Sequence, residues 1–277
     1  MASNYQQGGN NQQGGNYQIT YNVDMVFCID ATGSMGGVID MVKRNAVSFY
    51  GDVVDAMQKK GKTIDKLRLR MVVFRDYVAD GENAMLETDF FDLPEEAADF
   101  KECIDGITAF GGGDDPEDGL EALGYAMKSD WNNDGMKKRH VIVLWTDAST
   151  HPIGYGKSSG YYPNGMAESF GELSSWWGNK QMPGYMNQSA KRLLMFAPDA
   201  EYWNTISDNW DNTIHFPSEA GNGLSEITCE IMQGLKKADT EKIISELSVS
   251  AIDFDTDINA IFRKVEFTME FFVCEEV

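Results

Sequence analysis

The chain has 277 residues, of which 44 are acidic and 23 basic, for a formal charge of −21, and 42% are hydrophobic. That length and apolar content suit one large α/β domain with an ordinary core, so folding needs no metal. The acidity excludes a generally basic nucleic-acid footprint and attraction to an anionic membrane surface; it favours solubility, cations or a basic partner.

Cys28, Cys103, Cys229 and Cys274 are scattered, without the C-x-x-C spacing of zinc or redox sites, and read as reduced thiols. There is no signal-like N-terminal apolar segment and no apolar run of about 18 residues, so a cytoplasmic location is expected.

In chain order, residues 1–19 are Gln/Asn/Gly-rich and too poor in apolar groups to order themselves. Val23 to Asp30 reads as a buried strand ending at an aspartate, followed by a short hydroxyl-bearing turn. Val38, Val42, Ala46, Phe49, Val53 and Met57 then recur at helical spacing, and Lys59-Lys60-Gly61 closes that helix. Leu67–Phe74 is a second buried strand, and Met85–Phe91 a shorter, more polar one suited to an antiparallel edge.

Pro94–Ile104 reads as a helix, and Gly111-Gly112-Gly113-Asp114-Asp115-Pro116 as a close-approach loop opening another, which runs to about Ser129. His140–Trp145 is an uninterrupted apolar strand that ends in Thr146-Asp147. A Gly/Tyr/Trp/Pro-rich excursion over 148–189 carries a helix around Met166–Trp177. Leu193–Phe196 and Thr213–Phe216 are strands, and Tyr202–Ser207 and Leu224–Leu235 are helices.

Strands alternating with helices, apolar on both faces, predict a doubly wound, mostly parallel six-stranded sheet with helices on both faces, an α/β Rossmann-like fold. The expected organisation is a tail over 1–19, a domain over 20–237 and a C-terminal extension over 238–277.

In such sheets ligands sit beyond the C-terminal strand ends, where neighbouring strands send helices to opposite faces. If the strands ending at Asp30 and Trp145 are neighbours, Asp30 and Asp147 converge, and the Asp114 loop approaches from the side. Hard oxygens at Asp30, Thr32, Ser34, Asp114 and Asp147 suit Mg²⁺, with Mn²⁺ or Ca²⁺ also admissible. The plainer alternative is that Asp30 and Thr32 cap the following helix.

Asp30-Ala31-Thr32-Gly33-Ser34 resembles the D-x-[ST]-x-S motif of von Willebrand factor A (VWA) domains, the core of their metal-ion-dependent adhesion site. The resemblance covers residues 20–237. It implies that Thr32 and Ser34 touch the metal, and that Asp30 and Asp147 bind it directly or through water. The family's loop threonine is missing; the corresponding segment is Gly112-Gly113-Asp114-Asp115, with Asp114 as the substitute. A carboxylate there would hold the cation more tightly but weaken its appetite for a partner's carboxylate.

This form of the motif resembles intracellular bacterial VWA proteins, including those associated with tellurite resistance and stress responses and those linked to atypical kinases. The function implied is metal-dependent protein binding as a scaffold, without catalysis. The alternatives are a metal-dependent hydrolase or phosphatase using Asp30 and Asp147, or an adhesion module.

Thr32-Gly33-Ser34-Met35-Gly36 lacks the first glycine of a nucleophile elbow, and no phosphate-loop motif is present. Asp130–Gly135 copies half an EF-hand loop, but Val141 stands where the bidentate glutamate belongs, so a turn is expected. Asp253, Asp255 and Asp257 read as a solvated acidic stretch. Tyr155, Tyr161, Tyr162, Trp176 and Trp177 are expected to border the metal face as contacts for a protein partner, or else to pack the excursion onto the sheet. Neither a nucleic-acid nor a membrane partner is expected.

Overall fold

The computed structural model describes residues 20–45, 63–113, 115–135 and 137–217, together with the single positions 51, 54 and 58. The expected tail (1–19), Asp114, the later turns of the first helix, the helix over Leu224–Leu235, the acidic stretch at 253–257 and the extension over 238–277 lie outside the described residues.

The described chain runs β1 (Thr20–Asp30), α1 (Gly36–Asn45), β2 (Thr63–Phe74), α2 (Tyr77–Asp80), β3 (Met85–Glu87), β4 (Phe91–Leu93), α3 (Ala97–Gly106), α4 (Gly119–Met127), β5 (Lys137–Trp145), α5 (Phe170–Trp177), β6 (Lys191–Ala197), α6 (Glu201–Asn209) and β7 (Thr213–Pro217). Short 3₁₀ turns at Gly33–Met35, Gly81–Asn83 and Tyr155–Ser158 link them. The sheet order is β3-β2-β1-β5-β6-β7, with β4 also paired to β2. All pairings are parallel except those of β3 and β4, which run antiparallel to β2.

The fold class is as expected, but the sheet has seven strands rather than six. The segment read as one edge strand over Met85–Phe91 divides at Thr88. The Thr88 amide donates to the Met71 carbonyl and its hydroxyl accepts from the Met71 amide, which uses up the local pairing before β4 begins.

β1 lies at the centre, and its alternation of side chains explains the two layers of core. Val23, Met25, Phe27 and Ile29 face one layer with Ile39 of α1 and Phe100 and Ile104 of α3. Val26 and Cys28 face the other, with Leu120, Leu123 and Met127 of α4, Leu173 and Trp177 of α5, and Trp203 of α6. Both faces are therefore covered, as a parallel sheet requires. The helix after β1 thus packs on one face and those flanking β5 on the other, although the two strands are neighbours. The crevice this opens sits at the carboxyl ends of β1 and β5.

Trp176 and Trp177, offered above as partner contacts, are corrected by their burial: both lie inside the second core layer, Trp177 completely. Ser169 caps α5 by accepting from the Glu172 amide, and the helix needs that tryptophan face to dock. Cys28 is buried and Cys103 half-buried, both free thiols. Among the described residues no helix is long and apolar enough to cross a membrane.

Candidate functional site

β1 ends at Asp30 because its backbone pairing continues on one side only as far as Ala31, whose amide donates to Phe74 O. Asp30 is fully buried. Its Oδ1 accepts from the Thr32 amide at 2.9 Å and the Thr32 hydroxyl at 2.7 Å, and its Oδ2 from the Thr146 hydroxyl at 2.7 Å. Burial pushes the Asp30 carboxyl up to about 6; the bonds from Thr32 and Thr146 oppose the rise, and nearby Asp147 adds to it.

Thr32 Oγ1 lies 3.3 Å from Ser34 Oγ, and Ser34 Oγ donates to Asp147 Oδ1 at 3.0 Å. Asp30, Thr32, Ser34 and Asp147, from the ends of β1 and β5 and the turns after them, thus form one continuous oxygen chain, its last link joining residues 113 apart. The capping alternative fails at Thr32, whose side chain makes no cap bond to the 3₁₀ turn that follows.

The turn lines an open cleft of about 470 Å³ with Gly111, Gly112, Gly113, Asp115, Glu117 and Asp147. Asp114 lies outside the described residues. Asp115 is exposed, and its Oδ1 accepts from the amide and hydroxyl of Ser149. Glu117 reaches the cleft although it is only 3% exposed. Its backbone is pinned to the loop after β5: its amide donates to Ser149 O, and its carbonyl accepts from the His151 amide and the Thr150 hydroxyl. Its Oε2 is buried without a hydrogen-bond partner. Burial, then Asp30, Asp76, Asp80 and Asp118, pushes its carboxyl up to about 9.

Glycine is required where this loop closes on its neighbours. Gly111 and Gly112 have φ of +71° and +77°. A Cβ at Gly111 would lie 1.9 Å from Asp80 Oδ1, and one at Gly112 would lie 2.8 Å from Glu117 Oε1 and 3.0 Å from Thr32.

Arg75 holds the loop against the strand ends. It is 5% exposed. Its Nε donates to Ala31 O and Phe110 O, Nη1 to Asn83 O and Nη2 to Thr108 O, while the guanidinium stacks on Phe110 at 4.0 Å. Asp76 caps α2 through the Val78 and Ala79 amides, and its Oδ2 meets His151 Nε2 at 2.9 Å. Asp80 Oδ2 accepts from the Gly112 amide at 3.0 Å.

Sequence reasoning brought Asp30, Thr32, Ser34 and Asp147 to one place, and the structure does the same. It missed Arg75, Asp80, Glu117 and Thr146. The available signals were charged residues directly after the apolar β2 run and the glutamate four residues past the glycines. Asp130–Gly135 is a turn, with Asn132 Oδ1 accepting from the Asp134 amide and Gly135 at positive φ.

Among the described residues no group of three or more His, Cys, Asp or Glu side chains could hold a metal ion. The oxygen chain consists half of hydroxyls, and its composition suits a hard cation. Carboxylate and hydroxyl oxygens are the hard donors that Mg²⁺ takes, so the chemistry of the donor set fits such a cation.

A family model described as the von Willebrand factor A domain matches residues 24–152. An α-protein kinase of Dictyostelium discoideum, vwkA, is 24% identical over 143 residues, covering 52% of this chain and 21% of the kinase. A pilus adhesin of Lactobacillus rhamnosus GG, SpaC, superposes with a TM-score of 0.44 at 12% identity, over 83% of this chain and 31% of the adhesin. The type V pili tip protein Mfa5 of Porphyromonas gingivalis gives 0.31 at 23% identity, over 47% of this chain and 20% of its own described chain. This chain spans about a fifth of the kinase and less than a third of either pilus protein.

Proposed function

We infer, from the von Willebrand factor A family match over residues 24–152 and the oxygen-lined cleft at the β1–β5 crevice, that the domain is a non-enzymatic, divalent-cation-dependent protein-binding module. The observation that carries the reading is the oxygen chain from Asp30 Oδ1 through Thr32 Oγ1 and Ser34 Oγ to Asp147 Oδ1. Asp30, Thr32, Ser34 and Asp147 would hold the cation, and Glu117, which lines the same cleft and has one buried oxygen without a hydrogen-bond partner, would join them.

Bound there, Mg²⁺ supplies two positive charges to carboxyl groups that are otherwise costly to ionise in a buried place. The chain's own residues do the rest. Thr146 orients Asp30, Arg75 fixes the glycine loop, and Ser149 positions Asp115.

The test is thermal unfolding at fixed ionic strength. Mg²⁺ at a hundredfold excess over its Kd is expected to raise the Tm of the wild type by about 5–10 °C. Asp30→Ala and Ser34→Ala should lose that increment. Ser34 is exposed, so the second variant keeps the fold if the first does not. An equal Mg²⁺ response in wild type and Ser34→Ala rejects the site.

A further inference from the structure

We propose that the cleft docks a basic, arginine-bearing segment of its protein partner and turns away the carboxylate that an adhesive metal site would capture. The proposal deepens the cation reading and rests on it for the exclusion of carboxylate.

The charge around the cleft sets the partner's sign. With a divalent cation present, Glu117 and Asp147 of the lining and the fully buried Asp30 bring three carboxylates against two positive charges, and Asp115 adds another on the exposed rim. Glu117 is the decisive one. It is 3% exposed, lines the cleft and has one oxygen without any donor. A carboxylate so placed spends the cation's charge inside the protein, which leaves little to attract an acid from outside.

No lysine or arginine lines the cleft among the described residues. Arg75 feels the charge of Asp80, Asp30 and Glu117, but its guanidinium is engaged by four backbone carbonyls and the Phe110 ring and does not line the cleft. The rim therefore stays negative with the cation bound, and a partner's basic side chain is complementary to it.

Beside this rim stands an aromatic platform. α2 abuts the glycine loop closely enough that a Cβ at Gly113 would meet the Ala79 Cβ at 2.9 Å, and one at Gly81 would lie 3.6 Å from the Tyr161 ring. Val78, Tyr155 and Tyr161 on that side are 53%, 46% and 59% exposed. The Tyr155 ring is held flat against buried His151, with centroids 3.7 Å apart. Exposed tyrosine rings on the α2 side of an acidic cleft favour arginine over lysine, because a guanidinium can stack on a ring and fork onto a carboxylate.

The probes are labelled peptides in which glycine alternates with arginine, lysine or glutamate. Each is titrated into the full chain with Mg²⁺ at physiological salt and followed by fluorescence anisotropy. The arginine peptide should bind more tightly than the lysine peptide, and the glutamate peptide should not bind. The double variant Tyr155→Ala/Tyr161→Ala should weaken arginine-peptide binding by about fivefold and abolish the preference over lysine. Asp115→Asn on the rim should weaken binding, whereas Asp130→Asn, exposed at the opposite end of the sheet, should not.

Equal losses from Asp115→Asn and Asp130→Asn would mean diffuse attraction to an acidic protein and overturn the proposal. So would Mg²⁺-dependent binding of the glutamate peptide. Calorimetric Mg²⁺ titration of the same samples separates the two readings. Arginine binding without any Mg²⁺ heat retires the cation and keeps the docking, whereas Mg²⁺ binding without arginine preference retires the docking alone.

Discussion

At Glu117 the cost of burying a charge meets the use of that charge. Its carboxyl is pushed up to about 9 by burial and by the surrounding acids, so in the metal-free protein near neutral pH it keeps its proton. A cation on the oxygen chain would hold it ionised. Glu117→Gln should therefore weaken Mg²⁺ binding by about tenfold or more, since the count of charged ligands sets affinity in oxygen-donor sites. The same change should leave the metal-free Tm unchanged or higher near neutral pH, because the amide needs no proton uptake on folding. Calorimetry and unfolding on one sample read both. Unaltered Mg²⁺ affinity would place Glu117 outside the coordination of the cation.

At the scale of elements, α4 carries a second consequence of buried acid. Glu121 is fully buried; its Oε1 accepts from the Gly154 amide and the Tyr162 hydroxyl, while Oε2 has no donor. Burial raises its pKa above the ordinary glutamate value, and these two bonds offset part of the rise. The native state then holds a proton that the unfolded chain releases near pH 4.3. The stability Glu121 contributes is thus fully present below that pH and is lost as pH climbs toward its raised folded value. Glu121→Gln keeps the Oε1 acceptor and cannot ionise. Its Tm should match the wild type near pH 4 and exceed it at pH 8 in EDTA, and a constant offset across the range would refute the assignment.

The same elements explain what the sequence could and could not disclose. β1 and β5 were legible because each carries an apolar run, Met25–Ile29 and Val141–Trp145, with an aspartate at or just past its end, and the parallel sheet follows from two-faced burial. Asp30, Thr32, Ser34 and Asp147 follow from local spacing and strand order. Arg75 and Glu117 did not announce themselves, because their roles depend on contacts 33 to 44 residues away: Arg75 with Ala31, Phe110 and Thr108, and Glu117 with its backbone bridge to Thr150. The split of β3 from β4 was hidden for a similar reason, since it is Met71 on the neighbouring strand that engages Thr88. Trp176 and Trp177 misled because a helix rich in tryptophan has the same composition whether it faces a partner or a core, and only the sheet beneath decides.

For the whole molecule the governing quantity is the charge of −21. Self-repulsion on that scale destabilises the compact state and is screened by salt, with a Debye length of about 30 Å at 0.01 M and about 10 Å at 0.1 M. Raising NaCl from 0.01 to 0.3 M should therefore raise the Tm, in the wild type and in Ser34→Ala alike, because one exposed hydroxyl does not alter the net charge. Mg²⁺ acts on the same atmosphere and adds a site-specific part. In 0.3 M NaCl the atmospheric part is already spent, so a remaining Mg²⁺ increment in the wild type measures the cleft alone, and Ser34→Ala should show none. A Tm indifferent to NaCl would mean that the acidic residues are locally compensated despite their excess. An Mg²⁺ increment that vanishes in 0.3 M NaCl would assign the divalent effect to screening and leave the oxygen chain a hydrogen-bonded turn.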